Sequence, residues 1–166
     1  MALVVEDGSI VESANSYISL LDARAYATDR GVTLSAVDAD LTAILVKAAD
    51  YVDSFRAQYS GTKVSGDQTM QWPRTGVTVE GFTIESTTIP ALLRAAQVEA
   101  AIAITNGADL RPVGNAAPVY MEKVGPLETR YDTRGGRSTL VPRVTAVESL
   151  LRPLFKFGGT MRTARA

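Results

Sequence analysis

Apolar residues recur at intervals of three and four from Asp38 or Asp40 to Tyr59, where Leu41, Ile44, Leu45, Ala48, Val52, Phe55 and Tyr59 draw one narrow stripe along a predicted helix. Gly61 is its stop signal. On the opposite side Lys47, Asp50, Asp53 and Arg56 alternate in charge every three residues, the pattern of a solvated face with weak ion pairs. An earlier helix is expected to start at Ser19, because Ser19-Leu20-Leu21-Asp22 has the layout of a capping box, and to close at Gly31 with Arg30 on the negative end of its dipole. Pro90 suits the first position of a third helix, whose inward face is read as Leu92, Leu93, Ala96, Ala100, Ala103 and Ile104, with Asn106-Gly107 as its end. Thr145-x-x-Glu148 repeats the capping-box signal ahead of Val147, Leu150, Leu151 and Leu154, and Pro153 is expected to end or kink this last helix near Arg152.

Between the helices, Val77 to Ile84 alternates as a short β-hairpin turning at Glu80-Gly81. Leu110 to Pro118 is a Pro/Gly-containing connection, and Val119–Val124 and Leu127–Tyr131 flank Gly125-Pro126 as a second candidate hairpin. Asp132 to Arg143 reads as a loop or arm, and the stretch after Phe157 is poor in core-forming residues. The expected architecture is mainly α: a small bundle of about four helices with one or two β-hairpins and an extended C-terminal arm. It divides into a helical body over 1–110, a hairpin and basic loop over 111–143, and a C-terminal helix with a basic tail over 144–166.

Composition narrows the chemistry. The 166 residues include no Cys and no His, which leaves no route to a disulfide, a Cys/His zinc site, a His-based nucleophile pair or an imidazole pH switch. No apolar run approaches a membrane span, and Met1 to Val5 lacks the basic start and long apolar core of a signal peptide, so a soluble protein free of membrane is expected. The formal charge of −1 conceals an imbalance: residues 1–110 hold seven Lys/Arg and fourteen Asp/Glu, a net of −7, whereas 111–166 hold ten and four, a net of +6. Such asymmetry points to a partner for the basic part, either nucleic acid or an acidic protein surface.

Candidate sites are few. Asp38, Asp40, Asp50 and Asp53 form a nominal carboxylate group, but their alternation with Lys47 and Arg56 favours a solvated face over acid/base work or Mg²⁺. Gly135-Gly136 lies between Arg134 and Arg137 without the strand or Lys-Ser/Thr ending of a phosphate loop, so these two arginines are candidates for DNA or neighbour contact only. Trp72 and Arg74 admit two readings, a base-stacking platform with a phosphate-binding guanidinium or a structural anchor where the hairpin meets the helices; the anchor is preferred. Tyr17, Tyr26, Tyr51 and Tyr59 read as core or subunit contacts. No catalytic residue, cofactor site or metal site emerges, and an enzyme is not expected.

Several short elements together carry a resemblance: Ala14-Asn15-Ser16-Tyr17, Ala49-Asp50-Tyr51-Val52-Asp53, Gln71-Trp72-Pro73-Arg74-Thr75-Gly76, Ile89-Pro90 and Glu122-Lys123-Val124-Gly125-Pro126. From about Leu3 to Leu154 the chain resembles a family of tailed-phage proteins labelled DnaT-like single-stranded-DNA-binding, whose members are similar to head-to-tail adaptor (connector) proteins below the portal. That resemblance implies a structural virion protein at the neck, made in the host cytoplasm. It would form a dodecameric ring docked on the portal protein, touching neighbouring copies and a downstream tail or stopper protein, with phage DNA passing through its channel. The basic tail lies beyond the resemblance. Leu154, Phe155, Phe157 and Met161 are expected to serve as apolar anchors to the portal or a neighbour, and Arg152, Lys156, Arg162 and Arg165 as partners for an acidic surface. The competing expectation is a true single-stranded-DNA-binding protein.

Overall fold

The computed structural model of the chain describes residues 2–110, the backbone of 121–124 and 127–130, and residues 143–156. Among the described residues four helices carry the fold: α1 (Leu20–Thr28), α2 (Asp38–Asp53), α3 (Ala91–Thr105) and α4 (Thr145–Leu151). The described residues also include six short strands in three antiparallel pairs: β1 (Thr62–Lys63) with β2 (Arg74–Thr75), β3 (Val77–Val79) with β4 (Phe82–Ile84), and β5 (Met121–Val124) with β6 (Leu127–Arg130). The mainly α architecture with hairpins is therefore the observed one. The proposed arm over 132–142 and the tail from 157 onward lie outside the described residues.

Local signals act where the sequence placed them, with three exceptions; one is Pro90, which is the N-cap of α3 with ψ 139° and not its first helical residue, so that Ala91 opens the helix. The Ser19 hydroxyl accepts the Asp22 N–H and donates to the Asp22 carboxylate, holding the start of α1. The chain leaves α1 and α3 by the same route, with Val32 N–H on the Ala27 carbonyl and Ala108 N–H on the Ala103 carbonyl. Gly31 (φ 70°) and Gly107 (φ 91°) supply the left-handed residue that this exit requires. Glu80 and Gly81 both have positive φ, as a two-residue hairpin turn needs, and they align Val79 with Phe82 and Val77 with Ile84.

A second exception is α2, which ends at Asp53 and tightens into a 3₁₀ turn over Ser54–Ala57. Tyr59 thus reaches the core from beyond the helix, and its hydroxyl donates to the Val52 carbonyl at 2.9 Å. The third is the start of α4. Val144 is the N-cap and no side chain caps it, so Thr145 is already inside the helix, and Glu148 accepts from Arg143 Nε at 2.8 Å. Pro153 does end α4, which passes into a 3₁₀ turn over Arg152–Leu154.

Helix α3 is the centre of the core and touches the other three helices. Its buried face is Leu93, Ala96, Gln97, Val98, Ala100 and Ala101, rotated from the expected face so that Leu92, Ala103 and Ile104 are only half-buried. Small side chains at 96, 100 and 101 let neighbouring helices approach closely. Within this apolar stripe Gln97 has no solvent exposure. Its Oε1 accepts the Tyr17 N–H at 2.8 Å, and its Nε2 donates to Ser16 Oγ at 2.8 Å and to the Leu45 carbonyl of α2 at 3.0 Å. One amide thereby joins α3 to α2 and to the segment leading into α1.

The N-terminal segment is organised around a second buried polar group. Glu6, 1% exposed, accepts the N–H groups of Gly8, Ile10 and Val11 with its carboxylate, while Val5 bridges to Ser16. Val147, Leu151 and Leu154 are fully buried in the same apolar cluster as α1, α2 and α3, so the C-terminal helix belongs to the core of the body. Replacing Gln97 by Leu keeps the volume but strands the Tyr17 N–H in an apolar interior. The expected loss is about 2–3 kcal/mol of unfolding free energy by urea titration; a loss below about 0.5 kcal/mol would show that the amide is not a tie.

Candidate functional site

The segment between α2 and β3 gathers the residues that sequence reasoning singled out. Trp72 is fully buried, precedes Pro73 through a cis peptide bond, and meets the ring of Tyr59 edge-on at 5.7 Å. Arg74, 6% exposed, donates from Nε to the Ser60 carbonyl at 2.8 Å, from Nη2 to the Gly61 carbonyl at 2.8 Å and from Nη1 to the Gln71 carbonyl at 3.3 Å. Gln68 braces the same loop, donating to the Met70 and Pro73 carbonyls and accepting the Ser65 N–H. The face of the indole is thus inside the protein, and the guanidinium is satisfied by main-chain carbonyls. Neither is placed to receive a nucleotide.

Asp53 holds this loop to the body. It accepts the Tyr17 hydroxyl with Oδ1 and the Gln71 N–H at 3.1 Å with Oδ2, while the Tyr17 oxygen accepts the Gln71 and Trp72 N–H groups at 3.0 and 3.2 Å. The expectation that Asp53 belongs to a solvated charged face is therefore corrected. It sits at the last turn of α2, where the helix meets Tyr17 and the 68–76 loop. Burial pushes its carboxyl up to about 6, opposed by the Tyr17 and Gln71 hydrogen bonds. Burial, and then the Asp53 charge, hold the Tyr17 hydroxyl well above the ordinary tyrosine range.

The C-terminal candidates separate into two groups. Leu154 is fully buried in the chain's own core and its carbonyl accepts from Ser60 N and Oγ, so its assignment as an anchor for a partner is corrected. Phe155 is half-buried between Phe55 and Tyr59, with ring centroids 5.8 and 5.7 Å away, and Lys156 N–H donates to the Gln58 carbonyl at 2.7 Å. The side chains of Arg152 and Lys156 are exposed. Phe157, Met161, Arg162, Arg165, Arg134 and Arg137 lie outside the described residues.

Other parts of the described surface offer little chemistry. No three acidic residues are grouped to hold a metal ion, and no helix is long and apolar enough to cross a membrane, in each case among the described residues. Several cations of the body already have partners: Arg24 pairs with Asp38 at 2.7 Å, Arg30 with Glu99 at 3.7 Å while lying over the Tyr26 ring, and Lys63 donates to the Gln68 carbonyl. The exposed large apolar side chains among the described residues are Leu21, Val37, Val64 and Phe82.

A family model described as "Putative DnaT-like ssDNA binding protein" matches residues 1–166. The chain belongs to this DnaT-like family. Neither the curated proteins nor the solved structures contain a match. The aromatic and basic residues most suggestive of strand binding within the body, Trp72 and Arg74, are interior groups in this member of the DnaT-like family.

Three buried polar residues that organise the fold escaped the sequence reading. Gln97 had a usable signal, since it stands four residues from both Leu93 and Ala101 on an apolar face. Glu6 and Gln68 lie in irregular segments, where no periodicity marks a buried side chain.

The raised carboxyl of Asp53 has a definite sign. Its folded value of about 6 lies above the unfolded one, so the folded state holds the proton more tightly. Stability attributable to this group is greatest at low pH and falls as pH rises from about 4 through about 6, by at most about 3 kcal/mol. Urea midpoints of wild type and Asp53→Asn measured from pH 4 to 8 should diverge across that window, with the variant flatter; parallel curves would remove Asp53 as the cause.

Proposed function

We propose that the protein is a structural assembly component, a head-to-tail adaptor of a phage neck. It forms a ring that docks on the portal protein, contacts neighbouring copies and a tail or stopper protein, and lets phage DNA pass through its channel. The observation that carries this reading is the burial of Trp72, Tyr59, Tyr17 and Arg74 in one hydrogen-bonded core. Sequence-tolerant strand binding needs aromatic faces open to bases beside a positively charged groove. In residues 1–110 the net charge is −7, and the aromatic groups of the 59–74 region face inward. An acidic body repels DNA at long range, which suits a channel wall that DNA must traverse without adhering.

The +6 balance of residues 111–166 supports a role for the C-terminal part in docking. Closed rings use two different faces of each subunit, and opposite charge on those faces favours the correct register. No catalytic step is assigned, and the reading is of a protein that acts by position rather than by chemistry. The rival reading follows the family's description: the basic C-terminal part would bind single-stranded DNA while the body serves as its scaffold.

A chain ending at Lys156 tests the docking role, because it keeps Leu154 in the core and the Phe155 and Lys156 contacts to the 55–59 region. It should fold with an unchanged thermal midpoint yet fail to co-sediment with purified portals or give DNA-filled infectious particles. Normal particles from the shortened chain would contradict the assignment of Phe157, Met161, Arg162 and Arg165 as docking residues.

A further inference from the structure

Asn-Gly and Asp-Gly each occur once in the chain, as Asn106-Gly107 and Asp7-Gly8. In both, a main-chain nitrogen can attack the side chain of the residue before it, because glycine has no side chain to shield its N–H. The structure treats the two dipeptides differently.

Asp7-Gly8 is locked. Gly8 N–H donates to Glu6 Oε1 at 2.9 Å, and Glu6 is buried. A Cβ added to Gly8 would overlap the Thr87 carbonyl, so main chain packs directly on main chain here. The Asp7 carboxylate accepts the Ser9 N–H at 3.0 Å and the Ser9 hydroxyl at 2.7 Å, bonds that hold its pKa below the ordinary carboxylate range and keep it ionised. An ionised carboxylate is a poor electrophile.

Asn106-Gly107 lies at the exposed end of α3, with Asn106 as the C-cap. The Asn106 side-chain amide has no hydrogen-bond partner among the described residues, and a Cβ on Gly107 would meet nothing within 4 Å. What restrains the pair is the helix closure itself. Asn106 N–H donates to the Ile102 carbonyl at 3.0 Å, Gly107 N–H to the Ile104 carbonyl at 2.9 Å and Ala108 N–H to the Ala103 carbonyl at 2.9 Å. At ψ 9° the Gly107 nitrogen nearly eclipses the Asn106 nitrogen, whereas ring closure needs it turned toward Asn106 Cβ. Hydrogen bonds at an exposed helix end open far more readily than those of the core.

We propose that Asn106 is a self-modification site of this chain, at which opening of the last turn of α3 lets the Gly107 nitrogen attack the Asn106 side-chain amide. The Gly107 N–Asn106 Cγ bond forms and the Cγ–Nδ2 bond breaks. The Gly107 proton passes through water to Nδ2, which leaves as ammonia. Water then opens the five-membered imide at either carbonyl, giving Asp or an isoaspartyl linkage, with no change of oxidation state. Either product places a carboxylate on the negative end of the α3 dipole and adds one negative charge to a body already at −7. The isoaspartyl product also lengthens the main chain just before Leu110, which is anchored in the core.

The test is peptide mapping of the full chain after incubation at mildly alkaline pH, folded and in guanidinium chloride. Conversion at 106 is read by the mass gain of an amide-to-acid change and at 7 by chromatographic separation of the isoaspartyl peptide. The folded chain should convert at Asn106 and not at Asp7, at a rate at least roughly tenfold below that of the unfolded chain. Ala103→Gly, which loosens the last turn, should speed conversion at Asn106 about fivefold, the factor that corresponds to the roughly 1 kcal/mol by which glycine weakens a helix position. Asp7 should stay unmodified in that variant, which separates local opening from global unfolding. A folded chain left unmodified at Asn106, converted there as fast as the unfolded chain, or converted equally at Asp7 would overturn the proposal. So would an Ala103→Gly chain whose Asn106 rate is unchanged or whose Asp7 rate rises in parallel.

Discussion

The Gln97 side-chain amide lies at the junction of three elements that no continuous apolar surface could hold in register. Alanine-rich faces allow α3 to approach α2 closely, but small side chains interlock weakly, and such a surface could slide. A buried amide with all of its partners in place resists sliding, because every displaced register leaves a donor or acceptor unmatched in an apolar interior. Gln97 reaches Leu45 on α2 and Ser16 and Tyr17 ahead of α1, so the position of Tyr17 follows from it.

Tyr17 then passes this positional information on. Its hydroxyl meets Asp53 at the end of α2 and accepts the main-chain N–H groups of Gln71 and Trp72, which places the indole against Tyr59. Arg74 fastens the returning strand to the Ser60 and Gly61 carbonyls, and Ser60 in turn holds Leu154. A chain of polar contacts thus runs from the centre of α3 to residues 154–156, which are fastened to the 58–60 segment. The aromatic residues along it are fixed as structure, and their burial is what separates the docking reading from strand binding.

The helices were legible because their signals are local. Capping by Ser19, closure at Gly31 and Gly107, the Glu80-Gly81 turn and termination at Pro153 each depend on a few neighbouring residues whose backbone preferences tertiary packing did not override. The polar core was hidden for the opposite reason. Asp53 repeats every third residue with Lys47, Asp50 and Arg56, and nothing in that spacing tells that Tyr17, 36 residues away, turns it inward. The Thr145 box failed because Val144 takes the extended conformation that the cap requires, leaving the threonine within the helix. Leu154 fitted a partner-facing anchor only so long as α4 was thought to stand apart from the core that it completes.

The family's description and the structure of the body pull toward different expectations, and charge and burial explain how both can describe one chain. The acidic, aromatic-buried body favours assembly, while the basic C-terminal third keeps the cationic character that a strand-binding label invokes. The most direct measurement is titration of the full chain with single-stranded oligonucleotides at two salt concentrations. The adaptor account predicts negligible binding at physiological salt. Tight binding whose logarithm falls with log salt by about −0.7 per phosphate neutralised, over several phosphates, would contradict it.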